Sequence, residues 1–475
     1  MTWMATHRSD ESLRCVYCTH EGPFPHFGTF AFYTKEYSLY RCPECGSLIY
    51  HPSFTPKIQN TDSEPESVTG FAFGTRYHLE IGYSVDHIVW CAMVALAGLP
   101  EAERERHLFV DIGAGVGLSS AFVRQHTGME TLTVEPSPSG KVGAELFDLP
   151  VHRAMIEDLP PEVLAELRRR PTLLHLNSVV EHIAHPATAL RAIMALTDVS
   201  AIGIVVPDGG AISHDAPFLQ QLPLLAPGDH MHLPTEEGVR RLFQRLGLPA
   251  VQSQAGSGLI VATAARQPFA LPSREQTDAA RDTFLEWLSH NPDRRVSEGA
   301  LVRMLPYAVL RPDSEAVAAI RARIGDRFVP EPLMRHLAED PNWDNIPIYA
   351  GIGAFWMATD AFRIGHLREG ERWLNLLEVF AQRMARDYQP YAATTLYFRT
   401  EGRLTRAQAM MDQRRWDEAR SCLETVLDSA SDHQLGATAP QLERARGLRS
   451  QLPILTEPPT LREALRLWAR GRFSR

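Results

Sequence analysis

The sequence predicts an α/β protein built on a seven-stranded doubly wound sheet, preceded by a small cysteine-rich segment and followed by an all-helical region. Three observations predict this architecture. Two C-x-x-C pairs lie among aromatic residues within residues 10–55. Short apolar runs alternate with helical patterns over residues 71–268, which is typical of a parallel sheet covered by helices. From residue 270 to 475, strand signals disappear and amphipathic helices dominate.

Length and charge limit the function classes. The chain has 475 residues, enough for two or three domains, and its net charge of −9 argues against nucleic acid and anionic membranes as partners. The polar N-terminus lacks the apolar core of a signal peptide. The longest apolar run, near Ile88–Leu99, is too short to span a bilayer. We therefore expect a cytoplasmic protein whose cysteines stay reduced.

The first predicted element is a metal-binding module. Cys15 and Cys18 are separated from Cys42 and Cys45 by 23 residues. Two such pairs let four thiolates surround one Zn²⁺ tetrahedrally, and four protein ligands leave no open position, so the ion would be structural. It would also supply folding energy to a segment with little apolar core. The alternatives are two unrelated turns with reduced cysteines, or a redox pair.

A polar, turn-rich linker at residues 56–70 leads to the predicted sheet. The elements that follow are, in order, the strand LFVDIG, the helix LSSAFVRQH, the strand TLTVEP, the helix PEVLAELRRR, the strand TLLHLN, the helix ATALRAIMALT and the strand AIGIVVP. Thr235 then caps a helix that ends before Gly247. A hairpin around Gly256 and Gly258 joins the strands AVQSQ and LIVATAA.

Three glycines lie where the first strand meets the first helix. Gly113, Gly115 and Gly117 leave the main chain bare at the edge where ligands bind in such sheets. A dinucleotide fingerprint needs a further glycine at the position of Leu118, and no Lys-Ser/Thr pair follows to form a P-loop. The turn therefore predicts a ligand that is neither a dinucleotide nor a nucleoside triphosphate.

Two acidic residues define that ligand further. Asp111 ends the first strand, where it would repel a pyrophosphate but suits an ammonium or sulfonium group. Glu135 ends the next strand, 18 residues after Gly117, where a carboxylate can accept both hydroxyls of a ribose. A ligand with a ribose, a positive group and no phosphate fits S-adenosylmethionine.

Four segments carry a family resemblance. VDIGAGVG, VEPSP, IEDLP and LLHLNSVVEHIAHP, in this order, resemble successive motifs of class I S-adenosylmethionine-dependent methyltransferases. The resemblance covers about residues 71–268 and implies a Rossmann-like sheet with S-adenosylmethionine as cofactor. The alternative is a sheet of this fold that has lost its cofactor.

The resemblance also implies roles for individual residues. The implied cofactor contacts are Asp111, Gly113, Gly115 and Gly117 on the methionine portion, Glu135 on the ribose, Glu157 and Asp158 near the adenine, and Asn177 opposite Asp111. Relatives usually carry an acid at the position of Met155, which can only pack against the adenine ring.

Methyl transfer needs an aligned nucleophile and, for many acceptors, a base. DHMHLPTEEGVRRLFQRLGL resembles a segment of zinc-ribbon-bearing sugar C-methyltransferases in which an acid–histidine pair precedes a helix cap. By that resemblance, His230 is the candidate general base and Asp229 fixes its tautomer. His182, next to Glu181, is a further catalytic candidate. The alternatives are that these side chains only shape the pocket or order the loop.

The C-terminal region carries a degenerate repeat. GHLREGERWLNLLEVFA and RRWDEARSCLETVLD align at an offset of 49 residues. The segment ALRLWARGRF at 464–473 looks like the first helix of a third repeat unit. The pattern resembles tetratricopeptide repeats, which implies a helical platform for a protein partner or for self-association. A plain helical bundle is the alternative.

Together these patterns predict three domains: a zinc ribbon at 10–55, a methyltransferase domain at 71–268 and a repeat-like helical domain at 270–475. The predicted function is methylation of a small-molecule acceptor, with a nucleotide-linked sugar as the best single candidate. The alternatives are methylation of a protein or RNA recruited by the tail, or a non-catalytic interaction protein with a vestigial fold.

Overall fold

The structure is a computed structural model that describes residues 3–6, 8–32, 34–54, 69–81, 85–155, 158–216, 218–256, 258–388, 391–429 and 437–452. Its strands are β1 (Glu11–Arg14), β2 (Glu21–Phe24), β3 (His26–Phe32), β4 (Lys35–Arg41), β5 (Leu48–Tyr50), β6 (Leu108–Ile112), β7 (Glu130–Val134), β8 (Val151–His152), β9 (Thr172–Asn177), β10 (Val199–Pro207), β11 (His232–Leu233), β12 (Ala250–Gly256) and β13 (Leu259–Ala265).

The helices cover the sheet and form the C-terminal region. They are α1 (Thr69–Ile81), α2 (Val85–Ala97), α3 (Leu118–Thr127), α4 (Ser139–Phe147), α5 (Pro161–Arg169), α6 (Pro186–Leu196), α7 (Phe218–Leu225), α8 (Glu236–Arg245), α9 (Arg274–Leu288), α10 (Arg294–Leu310), α11 (Ser314–Ile324), α12 (Pro330–Glu339), α13 (Ala350–Arg363), α14 (Leu367–Asp387), α15 (Ala392–Asp412), α16 (Trp416–Asp428) and α17 (Ala439–Ser450).

The seven-stranded sheet confirms the predicted fold class. Its strand order is β12-β13-β10-β9-β6-β7-β8. The strands from β10 to β8 run parallel, and β13 is antiparallel to both β10 and β12. The predicted strands and the terminal hairpin are all present, and the fifth parallel strand is the two-residue β8 at one edge. The chain order reverses beside β6, so the carboxyl ends of β6, β7 and β9 border the ligand crevice of this fold.

Helices bury both faces of the sheet. Successive residues of β6 point to opposite sides, with Phe109 in one apolar cluster and Val110 in the other. The Phe109 side includes residues of α2, α3, α9 and α10, and the Val110 side includes residues of α5, α6 and α8. All five residues of β6 are buried, as expected for a central parallel strand.

The N-terminal module shares a sheet with the rest of the chain. β1 and β2 form a two-stranded ribbon, and β3, β4 and β5 continue into a four-stranded sheet whose last strand is β11. His232 pairs with Ile49 and Leu233 with Leu48. The module is therefore bonded to the loop that precedes α8.

The C-terminal region is all-helical, as predicted. α14 and α16 begin at the two repeat positions, Leu367 and Trp416, and each packs against the helix before it. Gly370 and Ala419, the small residues of the repeat, are both buried. The tetratricopeptide-like organisation stays a prediction, and the third repeat at 464–473 lies outside the described residues.

Among the described residues, no single helix is long and apolar enough to cross a membrane. Phe73–Glu80 and Val85–Ala97 pass a test of length and composition together, but their axes differ by 78°. α2 packs on β10 and β13 inside the protein, as a core helix does.

Candidate active site

The glycine turn follows β6 in a left-handed conformation. Gly113, Gly115 and Gly117 have φ angles of +66°, +56° and +71°, which side chains rarely adopt. A Cβ on Gly113 would lie 2.5 Å from Val179, and one on Gly117 would lie 2.7 Å from Leu149. A Cβ on Gly115 would meet no described atom within 4 Å. Packing explains two of the glycines, and Gly115 borders open space where a ligand can approach the main chain.

Glu135 is fixed beside this open position. Its carboxylate accepts hydrogen bonds from Gly115 N and Ser137 N, each at 2.7 Å, and the residue is 6% exposed. Because each carboxylate oxygen can accept a second hydrogen bond, the group can still receive two hydroxyls. The sequence predicted a ribose-binding acid here, and the structure places it in contact with the turn.

The carboxylate of Asp111 is buried and bonded to side chains of neighbouring elements. It is 1% exposed, and its Oδ2 accepts a hydrogen bond from Ser120 Oγ at 2.9 Å. Its Oδ1 lies 3.0 Å from Nδ1 of His175 on β9, and Ser120 Oγ in turn accepts from Thr133 at 2.9 Å. Sequence reasoning missed Ser120, Thr133 and His175. The motif identifies the acid, but only the tertiary fold brings these residues of α3, β7 and β9 to it.

The remaining cofactor candidates lie at the same edge. Asn177 ends β9 and is half-buried, and Asp111 pairs with His175 two residues before it. Asp158 follows β8 and is exposed, and Met155 is half-buried. Glu157 lies outside the described residues.

A second cluster follows β9. Glu181, His182 and His230 each place one potential ligand atom within 4.8 Å of the others. Glu181 and His182 belong to a one-turn 3₁₀ helix, and His230 comes from the loop before β11. The main chain links the two segments, because Met231 N donates to Glu181 O at 2.9 Å.

The contacts of His230 differ from those expected. We predicted that Asp229 fixes its tautomer, but His230 Nδ1 donates to Leu224 O at 2.7 Å, so a backbone carbonyl has that role. The main-chain oxygen of Asp229 instead accepts from His182 Nδ1 at 2.9 Å. Burial lowers the pKa of His230 to about 3 and also lowers that of His182. A neutral imidazole of such low basicity is a weak proton acceptor.

The four predicted metal ligands converge. Cys15 Sγ and Cys45 Sγ are 3.5 Å apart, Cys18 Sγ and Cys42 Sγ are 3.6 Å apart, and all four sulfurs lie within 4.8 Å of one another. Sulfurs bound tetrahedrally to Zn²⁺ at about 2.3 Å are about 3.8 Å apart. The cluster therefore has the dimensions and the chemistry that Zn²⁺ requires.

The cysteine module contacts the loop that carries His230. Thr235 donates to Cys45 O and accepts from Gly238 N, which caps α8 as predicted. Tyr17 OH lies 2.6 Å from His232 Nδ1, and Arg245 donates to the carbonyl of Tyr17. These contacts join residues about 190 to 230 positions apart, so no local pattern predicts them.

Comparisons with known proteins identify the central region. Residues 89–253 match the family model of a methyltransferase domain. No curated protein matches the chain significantly. Among solved structures, the chain is similar to an O-methyltransferase family protein from Burkholderia thailandensis, with 13% identity, 43% of this chain and 63% of that chain covered, and a TM-score of 0.33.

Two other solved structures are also similar to part of this chain. For a possible exported protein from Bordetella parapertussis, identity is 16%, coverage is 35% of this chain and 65% of that chain, and the TM-score is 0.27. For the Burkholderia thailandensis 1,6-didemethyltoxoflavin-N1-methyltransferase these values are 18%, 47%, 97% and 0.28. The chain spans less than two thirds of the length of the first two proteins. TM-scores this low say nothing about the substrate.

Proposed function

We propose that this chain is an S-adenosylmethionine-dependent methyltransferase that acts on a small-molecule acceptor. One observation carries the proposal: the open main chain at Gly115 lies directly beside the fixed carboxylate of Glu135. Both lie at the carboxyl ends of neighbouring parallel strands, where this fold binds its ligands. The methyltransferase domain found at residues 89–253 supports the same function.

The chain's own residues would hold the cofactor. Glu135 would accept the ribose hydroxyls, and the bare turn at Gly115 would lie against the methionine portion with Asp111 beneath it. Asn177 and the segment of Glu157 and Asp158 would complete the site. When bound, S-adenosylmethionine supplies a methyl group on a positively charged sulfur, so the protein has mainly to align the acceptor.

The acceptor would lie beside the second cluster. His182 is half-buried and lies against His230, with ring centroids 4.9 Å apart, so this side of the crevice is polar. The low basicity of His230 favours a binding role over proton removal. A nucleotide-linked sugar remains our candidate acceptor, and the net charge of −9 argues against RNA.

We also propose that Cys15, Cys18, Cys42 and Cys45 bind one structural Zn²⁺. The sulfur separations support this assignment, and four thiolates leave no position for a substrate. The ion would stabilise the module that holds β11 and the cap of α8.

Calorimetric titration with S-adenosylhomocysteine tests the cofactor site. We expect the wild-type chain to bind and Glu135→Gln to bind at least about tenfold more weakly, because the neutral amide loses charge-assisted hydrogen bonds. Glu162→Gln, an exposed substitution on α5, is the matched control and should bind normally. A wild-type chain that does not bind would instead support the non-catalytic scaffold.

The acceptor class needs a separate experiment. The protein is incubated with S-adenosylmethionine labelled in its methyl group and with cell lysate separated into metabolites, protein and RNA. We expect the label in the metabolite fraction. Label in protein or RNA would contradict the small-molecule proposal but not the methyltransferase activity.

A further inference from the structure

The cluster beyond β9 contains three side chains that can bind a metal. It is formed by the carboxylate of Glu181 and the imidazoles of His182 and His230. His230 Nε2 is 3.9 Å from Glu181 Oε1, and the three ligand atoms lie within 4.8 Å of one another. Rotations that close these distances by roughly 1 Å would surround an ion whose bonds to such atoms are about 2.0–2.2 Å long.

Backbone carbonyls determine the tautomers of both imidazoles. A carbonyl oxygen can only accept, so the bonds to Asp229 O and Leu224 O place a proton on Nδ1 of His182 and of His230. In these tautomers the lone pair of each ring is on Nε2, and His230 Nε2 faces Glu181 Oε1 at 3.9 Å. Metal-binding histidines are usually oriented in this way, with the other ring nitrogen donating to a carbonyl or a carboxylate.

Glu181 supplies an independent observation. Its side chain is fully buried, and among the described residues neither carboxylate oxygen has a hydrogen-bond partner. A buried carboxylate without a donor or an opposite charge is costly. A cation between Glu181 and the two imidazoles would remove that cost.

We propose that Glu181, His182 and His230 bind a divalent transition-metal ion that takes an oxygen atom of the methyl acceptor as a further ligand. The proposal rests on the methyltransferase function above and adds a substrate class, acceptors with a hydroxyl group. Unlike the four-cysteine cluster, this site has three protein ligands among the described residues, which leaves coordination positions open. Imidazole and carboxylate ligands suit Zn²⁺, Fe²⁺ or Mn²⁺.

The ion would make the acceptor reactive without a strong base. A hydroxyl bound to a divalent ion loses its proton more easily, so water can take that proton near neutral pH. In the transfer, the oxygen–carbon bond forms as the sulfur–carbon bond breaks. The electron pair of the broken bond stays on sulfur, and S-adenosylhomocysteine leaves. His230 would then act through its lone pair as a ligand.

Manganese binding tests the site without measuring activity. Mn²⁺ is titrated into the full chain loaded with one equivalent of Zn²⁺, which the four thiolates bind more tightly, and free Mn²⁺ is followed by electron paramagnetic resonance. Mn²⁺ does not displace Zn²⁺ from thiolates, so it reports the second site alone. We expect one Mn²⁺ per wild-type chain and binding more than about 100-fold weaker in Glu181→Gln and His182→Asn, each of which removes one of three ligands. His185→Asn, an exposed histidine outside the cluster, is the control and should bind normally.

Titration of the same variants with S-adenosylhomocysteine separates the two proposals. Normal binding of that compound shows that a variant is folded, and His182→Asn tests the site if the buried Glu181→Gln does not fold. A wild-type chain that binds S-adenosylhomocysteine, but takes up neither Mn²⁺ nor a second equivalent of Zn²⁺, would overturn the metal site alone. Equal Mn²⁺ binding by wild type and folded variants would overturn it as well. A wild-type chain that takes up Mn²⁺ but not S-adenosylhomocysteine would refute the proposed function, but it would still support the assignment of the metal ligands.

Discussion

At Gly115, the effect of backbone strain on stability can be measured separately from the effect of an added methyl group on ligand binding. We predict that Gly115→Ala weakens S-adenosylhomocysteine binding at least about tenfold, because its methyl group would enter the open space beside Glu135. Gly128→Ala is the control, since Gly128 has a similar φ of +72° and open surroundings at the end of α3. Both variants should lose about 1–2 kcal/mol of stability to left-handed strain. Calorimetry and urea unfolding measure the two effects, and equal loss of affinity in both variants would contradict a ligand at Gly115.

At the residue scale, site residues that belong to a sequence motif could be predicted, whereas residues brought to the site by strand pairing could not. The glycines and Glu135 could be recognised because each stands at a strand end, where chain order alone assigns its place. His175 could not, because its role depends on β9 lying beside β6 in a parallel register that pairs it with Asp111. The same holds for Glu181, which is adjacent to His182 in sequence but meets His230 only through the loop before β11.

The four-cysteine module and β11 depend on each other at the element scale. We predict that Cys42→Ser lowers the zinc content by one equivalent per chain and increases amide hydrogen exchange in β11 and at the start of α8. The reason is that, among the described strands, β11 pairs only with β5 of the module, and Thr235 donates to Cys45 O. Cys422→Ser, at a half-buried helical cysteine outside the cluster, should change neither. Unchanged exchange in a zinc-free Cys42→Ser chain would show that the ion does not support the loop.

Strands long enough to show a hydrophobic pattern could be predicted from the sequence, whereas strands of two residues could not. β6, β9, β10 and β13 are largely apolar runs of five to nine residues, and the glycines at the hairpin turn mark the end of β12. β8 and β11 contain two residues each, so neither shows any periodicity. They form because each pairs with the free edge of a neighbouring strand, and the local sequence does not reveal that pairing. β11 joins the module to the sheet domain, so this omission also hid the connection between the metal cluster and the active-site loop.

At the scale of the whole molecule, the helical region shares its core with the sheet. Phe284 of α9 packs edge-to-face on Phe122 of α3, with ring centroids 5.3 Å apart. The sequence predicted amphipathic helices from residue 270, but an apolar stripe does not identify the surface that covers it. The predicted boundary at 268–270 stays a prediction, and α9 and α10 belong to the apolar cluster that includes Phe109 of β6.

Helix α1 connects this core to the C-terminal helices. The close contact between α1 and α10 can be used to test whether the sheet and the tail unfold together. Arg76 donates to the carbonyls of Trp343 and Ile346, and the buried Glu80 accepts from Ile348 N at 2.5 Å. A Cβ on Gly299 of α10 would lie 2.1 Å from Glu80 O, a main-chain atom that cannot move away without breaking these bonds.

We therefore predict that Gly299→Ala destabilises the chain by at least about 2 kcal/mol and shifts the unfolding of the sheet and the tail together. Gly447→Ala, in a helix with no described atom within 4 Å of the added methyl, is the control and should be neutral or stabilising by up to about 1 kcal/mol. Urea unfolding is followed by far-ultraviolet circular dichroism, which reports the helices of both regions, and by S-adenosylhomocysteine binding, which reports the sheet region alone. If cofactor binding survives in urea after helical signal is lost, the tail unfolds independently and α1 is not the link. Coincident transitions, shifted equally by Gly299→Ala, would show that the tail helices and the crevice unfold as one cooperative unit joined through α1 and α10.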